Sequence, residues 1–347
     1  MSIKKTRIKI ELILFLCFGA LFIKVLPTAK GNEADEPAVM LVVEYATGDE
    51  ALLKKESGGI RISTPSPKPT PLPTITPEPI SVPLPKESIR VSDVIGKTYV
   101  MEELLQISYL KEHLYIVNAT TKMTTDDFDV EYFIEKDLSV EKSAQPQILI
   151  FHTHASEGFA DSRVGESADT VIGAGELLAD TLREKYGYNV LHDTSVFDKK
   201  NGKDNRNYAY NDALKHLEEL LEEYPSIEVV IDLHRDAGTK RVVTIDGRKT
   251  AKVMLFNGLC RNTQGKLSYL PNENLKDNLA FSFQMKLIGD EMYPGLMNRI
   301  FLKDYRYNMH LKGRFLLIEL GTEQNTVEEA MNAMEPLADV LCQVLGG

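Results

Sequence analysis

Three short apolar runs in this chain each end in side chains that could do acid–base or metal chemistry. Ile148-Leu149-Ile150-Phe151 runs into His152-Thr153-His154-Ala155-Ser156-Glu157; Val229-Val230-Ile231 runs into Asp232-Leu233-His234-Arg235-Asp236; Leu316-Leu317-Ile318 ends at Glu319. Imidazoles with a carboxylate are the donor set of a hydrolytic zinc ion. Three protein ligands hold the metal, and a fourth position takes a water whose pKa falls towards neutrality. His154 and Glu157, as His-x-x-Glu on a tight loop, can bite one ion together, and His234 closes the set. Glu319 remains as a general base that takes the water proton and passes it to the leaving nitrogen. Glu166 and Asp169, twelve and fifteen residues after His154, are rival oxygen ligands.

Other polar groups fall around these four. His152 would share a face with His154 if its strand continued, but it sits deeper and lacks a carboxylate partner, so it is expected to support a ligand rather than be one. Asn308, in the loop before the Glu319 strand, is placed beside the site, where it would touch ligand groups or substrate, and His310 follows it closely. Arg235, or Arg206 on the preceding loop, could hold substrate carboxylates bidentately. His113, His192 and His216 fall on solvated surfaces by pattern. His-x-x-Glu alone is common in solvated loops and helix caps, and a lone histidine after a strand is usually structural. The weight comes from four such groups at strand ends in a chain with only seven histidines.

The elements that must carry these groups alternate. Strands are expected at Leu114–Val117, Gln147–Phe151, Asn189–His192, Ile227–Leu233, Lys252–Phe256 and Phe315–Glu319. Helices are expected at Glu102–Leu110, before Asp137, and at Ile172–Tyr186, Asn207–Tyr224, Asn274–Glu291 and Val327–Leu345. This alternation predicts an α/β fold, a mostly parallel sheet with helices on both faces. In such a sheet the active site lies at the carboxyl ends of the strands.

The 347 residues suffice for one sizeable catalytic domain plus tethers, and 43% apolar with 26% charged residues is a globular balance. A net charge of −11 speaks against a nucleic-acid partner, which needs a dense Lys/Arg surface. Cys17, Cys260 and Cys342 imply no disulfide framework and no zinc ribbon. Lys4, Lys5, Arg7 and Lys9 precede the apolar run Leu12–Ile23, so residues 1–31 read as a cytoplasmic N-terminus and an exporting segment. A cleaved signal peptide competes with a retained single-pass anchor; Ala29-Lys30-Gly31 is an imperfect cleavage site, which favours the anchor. Residues 32–87 form a membrane-proximal spacer, in which 64–86 hold nine of the sixteen prolines and favour an extended polyproline II linker. Residues 88–347 are the expected catalytic domain, facing outward from the cell membrane.

The segments ILIFHTHASE, VVIDLHRDA, DYRYN and LLIELGTEQNTVEEA, in that order, resemble the stage II sporulation protein P family, over roughly Ser88 to the C-terminus. The resemblance implies a zinc-dependent N-acetylmuramoyl-L-alanine amidase with an accompanying crosslink endopeptidase activity on peptidoglycan. It also implies a fold similar to zinc amidases and carboxypeptidases (phosphorylase/hydrolase-like). By that similarity Glu319 matches the catalytic glutamate, and His154 and His234 match the two zinc histidines. The oxygen ligand is where relatives diverge: carboxypeptidases use the adjacent His-x-x-Glu, which favours Glu157, and amidases a carboxylate about fifteen residues on, which favours Asp169. The family further implies work at the engulfment septum, in the mother-cell membrane, with a lytic transglycosylase and a membrane protein as partners.

Overall fold

The computed structural model describes residues 89–346. The expected anchor, the spacer and the proline-rich tract lie outside the described residues. The chain opens with short helical turns, α1 (Val91–Val94), α2 (Met101–Leu104) and α3 (Ile107–Tyr109), the last passing into a π-turn at Leu110–Leu114. Strand β1 (Tyr115–Val117) and helix α4 (Val130–Glu135) follow. The next units are β2 (Ile148–Phe151), α5 (Val171–Glu184), β3 (Val190–His192), the small hairpin β4 (Lys199–Lys200) and β5 (Lys203–Asp204), and α6 (Arg206–Glu223). After β6 (Val229–Asp236) come a hairpin of β7 (Val242–Ile245) and β8 (Arg248–Ala251), then β9 (Val253–Gly258), α7 (Leu275–Met292), β10 (Ile300–Lys303) and β11 (Arg314–Thr322). Helices α8 (Val327–Met331) and α9 (Met334–Val344) close it.

Seven strands make one sheet in the order β1-β10-β9-β11-β6-β2-β3. Every neighbouring pair is parallel except β9 with β11. The α/β fold is therefore as expected and mostly parallel, with one refinement: two parallel halves of opposite direction meet at β9/β11.

Each face of the sheet has its own core. On one, Ile148, Ile150, Val229, Ile231, Leu316 and Ile318 are buried with α5, α7 and α9. On the other, Leu149, Phe151, Val230 and Phe315 pack against Ala209, Ala213 and Leu217 of α6. The spacing explains the placement. Alanines at i and i+4 with a leucine at i+8 give α6 a narrow apolar stripe, so it lies close to the strands and leaves its other sides to water. Helix α5 buries Val171, Ala174, Gly175, Leu178, Ala179 and Leu182, the same periodicity on a wider face, and Thr170 caps it by accepting from Ile172 N. The anticipated closing helix is broken into α8 and α9. Pro336 has no N–H to donate and is tolerated only near a helix start, so the helix restarts at Met334. Cys260 and Cys342 are buried free thiols. Among the described residues no helix is long and apolar enough to cross a membrane.

Candidate metal and active site

Strand register decides which side chains meet. β6 places Asp232 opposite Phe151 of β2, and His234 opposite Glu319 of β11. Paired residues of parallel strands share a face, as do residues two apart along one strand. Asp232, His234 and Glu319 therefore stand together on the α6 side, beyond the small core of Phe151, Val230 and Phe315. The loop leaving β2 brings His154 and Glu157 to the same place.

His154 Nδ1 lies 3.4 Å from Glu157 Oε1, and His234 Nδ1 lies 3.4 Å from Glu157 Oε2. Ligand atoms of the three residues all fall within 4.8 Å of one another. Both contacts are long for a hydrogen bond. They suit donors around a shared ion, because tetrahedral coordination at about 2.0–2.1 Å separates neighbouring donors by about 3.3–3.4 Å. Glu157 and His234 are buried, while His154 stays partly open to solvent.

Electrostatics follow from this crowding. Burial pushes the Glu157 carboxyl up, but the His154 and His234 imidazoles close beside it more than offset this and hold the group well below the usual carboxylate range. Burial likewise disfavours the charge on His234, yet Asp232 and Glu157 raise its pKa well above the ordinary value. Glu319 is pushed up to about 7, chiefly by burial; His234 opposes the shift, and Glu157, Asp236 and Asp232 add to it. Its Oε2 is shielded from solvent and has no hydrogen-bond partner. A carboxyl in that condition can hold or release a proton near neutral pH.

Two aspartates assemble the site without belonging to the expected set. Asp232 is fully buried, accepts from Thr153 N (2.8 Å) and Thr153 Oγ1 (2.7 Å), and places Oδ1 2.8 Å from His234 Nε2. It thus ties the His154 loop to β6 and turns the other nitrogen of His234 towards Glu157, the carboxylate–histidine arrangement that orients metal ligands. The signal was in the sequence: Asp232 lies two residues before His234 on one strand, hence on one face. Asp198 accepts from Ser156 N (3.2 Å) and Ser156 Oγ, fixing the same loop from the other side. Nothing in its sequence context marks it.

The remaining candidates lie elsewhere or act through intermediates. Asp169 is not in the cluster; Arg163 grips its carboxylate through Nε (2.6 Å), Nη2 (2.9 Å) and backbone N–H (2.9 Å), holding its pKa down to about 2. Glu166 is exposed. His152 faces α5 on the opposite side of the sheet: its Nδ1 is 2.8 Å from Leu233 O and its Nε2 2.9 Å from His192 Nε2, while His192 Nδ1 meets Glu176 Oε2 at 2.6 Å. His192 is accordingly buried rather than solvated, because α5 covers the β3 edge at Gly175, where an added Cβ would strike both imidazoles. Burial pushes His152 down to about 4. Arg235 donates its backbone N–H to Glu157 Oε2 (3.0 Å) and its Nε to Gly158 O (3.0 Å), so it positions the Glu157 carboxylate. Asn308, left-handed at φ 58°, donates to Tyr210 O (2.9 Å). Tyr210 in turn stacks near His234 (6.3 Å) and meets His154 edge-on (5.7 Å). His310 lies outside the cluster and donates nothing to it; its carbonyl accepts from Asn274.

Fold and site together define an α/β protein with a His/Glu/His cluster that could hold a cation, and with a half-buried carboxylate, Glu319, at the carboxyl edge of its central strands. The chain belongs to the stage II sporulation protein P (SpoIIP) family, whose sequence profile matches residues 94–342. It is 27% identical over 214 residues to Stage II sporulation protein P of Bacillus subtilis strain 168, covering 57% of this chain and 50% of that one. The chain thus spans about half the length of the curated relative it matches. Solved structures similar to it include the N-acetylmuramyl-L-alanine amidase Ami1 of Mycobacterium smegmatis, with a TM-score of 0.37, 12% identity and coverage of 59% of this chain and 98% of that one. The N-acetylmuramoyl-L-alanine amidase AmiC2 of Nostoc punctiforme gives a TM-score of 0.34 and 13% identity over 58% and 96% of the two chains.

Proposed function

We propose that this chain is a zinc-dependent peptidoglycan hydrolase of sporulation that cleaves the amide between the lactyl group of N-acetylmuramic acid and the L-alanine of the stem peptide. The observation that carries it is the convergence of His154, Glu157 and His234, with ligand atoms all within 4.8 Å of one another, and Glu319 beside His234 on the adjacent strand. His154, Glu157 and His234 would hold the ion. Zinc, when bound, supplies a Lewis acid that polarises a carbonyl and makes water acidic enough to react near pH 7. Asp232, with Oδ1 2.8 Å from His234 Nε2, sets a compensating negative charge behind the imidazole, whose Nδ1 faces the Glu157 side. Glu319 takes a proton at its carboxylate and returns it to the leaving nitrogen, a role suited to a carboxyl raised to about 7 in the ion-free protein. The expected N-terminal anchor would hold this domain at the mother-cell membrane facing the septal wall, beside a lytic transglycosylase and a membrane protein.

A peptidase acting on the stems or their crosslinks is the second reading, supported by one observation: Glu157, the adjacent carboxylate of the carboxypeptidase pattern, completes the donor set, and Asp169 does not. Zinc content and muropeptide products of the full chain separate the two. The amidase yields one zinc per chain, intact glycan and free stems with an L-alanine amino terminus; the peptidase leaves shortened or uncrosslinked stems on the sugar. His154→Ala and His234→Ala should lose metal and activity, whereas Glu319→Gln should keep zinc and lose roughly 10²–10⁴-fold in turnover. A parent that binds no zinc and digests nothing would leave a non-catalytic wall-binding scaffold as the reading.

A further inference from the structure

We propose that Arg206 is a placeholder that competes with the cation: its guanidinium contacts the same Glu157 and His154 atoms, and it must withdraw before a divalent ion binds, so it sets the affinity of the site. This rests on reading His154, Glu157 and His234 as cation ligands. Arg206 Nη2 donates to Glu157 Oε1 and lies 3.2 Å from His154 Nδ1. These are the two atoms that face each other across 3.4 Å. A cation liganded by both fills the space in which the two guanidinium contacts end, and a second positive charge there is repelled.

Charge compensation explains why the guanidinium sits there. A buried carboxylate without a counter-charge is costly, and the Glu157 side chain is only 3% exposed. Arg206 supplies the charge from the solvent side, its own side chain being 45% exposed. Arg235, the other arginine at Glu157, uses its backbone N–H on Oε2 and its Nε on Gly158 O, contacts that leave Oε1 and both Nδ1 atoms free for an ion.

The scaffold lets the side chain move while the backbone stays. Arg206 is the first residue of α6, and the residue before it is clamped: Asn205 N donates to Asp198 O (2.8 Å), and Asn205 Nδ2 to Phe197 O (2.8 Å) and Asp212 Oδ2 (2.8 Å). Asp198 also holds Ser156 in the ligand loop. Helix start and ligand loop are thus fixed to one buried residue, which leaves the exchange between arginine and ion to the Arg206 side chain alone.

The test is zinc affinity of the full chain, Arg206→Gln and Arg206→Lys, measured by competition with a chromophoric chelator, together with the thermal midpoint of each ion-free protein. Arg206→Gln should bind zinc about tenfold more tightly, equivalent to about 1.4 kcal/mol, and melt lower without the ion. Arg206→Lys keeps the charge but not the planar fork and should fall between. Equal or weaker binding by Arg206→Gln overturns the placeholder role while leaving the site intact. If neither the parent nor the variants bind zinc, the site and the placeholder fall together.

Discussion

At Asp232 a single carboxylate touches both segments that carry the proposed ligands, through Thr153 on one and His234 on the other. Asp232→Asn keeps the shape and the contact to Thr153 but removes the charge behind His234. Zinc affinity should fall by about 10–100-fold with little change in secondary structure, as found when such orienting partners are removed; chelator competition reads the change, and unaltered affinity would show that the imidazole needs no such support. Asp169 makes the opposite point, since its partner is Arg163. Its folded pKa of about 2 lies below the ordinary 3.8, so the folded state binds fewer protons and this pair's contribution is present above about pH 4 and lost as pH falls through about 2. In Arg163→Gln the Asp169 midpoint should rise towards 3.8 in a side-chain NMR titration. A midpoint that stays near 2 would mean that something other than Arg163 sets it.

Among the elements, β11 shows how a strand aims Glu319, the group proposed to move the proton. Its register with β6 shifts between Glu319 and Thr322, and within the shift Gly321 adopts φ +60°, where an added Cβ would meet Asn325 Oδ1 at 2.7 Å. Asn325 is fully buried, accepts from Thr322 N and bonds both N–H and C=O of Arg241, so the bulge is bolted to the start of β7. Gly321→Ala should cost about 1–3 kcal/mol, seen as a lower urea midpoint, and a variant as stable as the parent would show that this turn relaxes freely. Much of the architecture could be read from residues. The runs into His154, His234 and Glu319 were recognisable as strands because an apolar run bounded by polar loops has few other homes, and α5 and α6 because their apolar spacing is helical. The β7–β8 hairpin carried a readable signal, Asp246-Gly247 between alternating segments, both at positive φ, and was missed. β10 was missed as well, although at four residues it is no shorter than the strands expected at Leu114–Val117 and Asn189–His192. The antiparallel β9/β11 junction and the role of Asp198 depend on distant pairings that no local pattern contains.

For the molecule as a whole, the two cores flanking the sheet are independent of any ion. Chelation should therefore leave the far-ultraviolet dichroism intact, unlike a zinc finger, whose fold is its metal site. It should lower the thermal midpoint, because an ion that binds only the folded state contributes about 2.7 kcal/mol when present at a hundredfold excess over its Kd; loss of helical signal on chelation would contradict this. The placement of β11 carries a further consequence. It is the last strand of the described residues, yet it sits in the middle of the sheet, hydrogen-bonded to β9 on one side and β6 on the other. A chain emerging amino-end first makes His154, Glu157 and His234 long before Glu319, and cannot join the two halves of its sheet until β11 arrives. Glu319, the group proposed to move the proton, thus rides on the strand that joins the two halves of the sheet, so it can reach His154, Glu157 and His234 only when the sheet is closed.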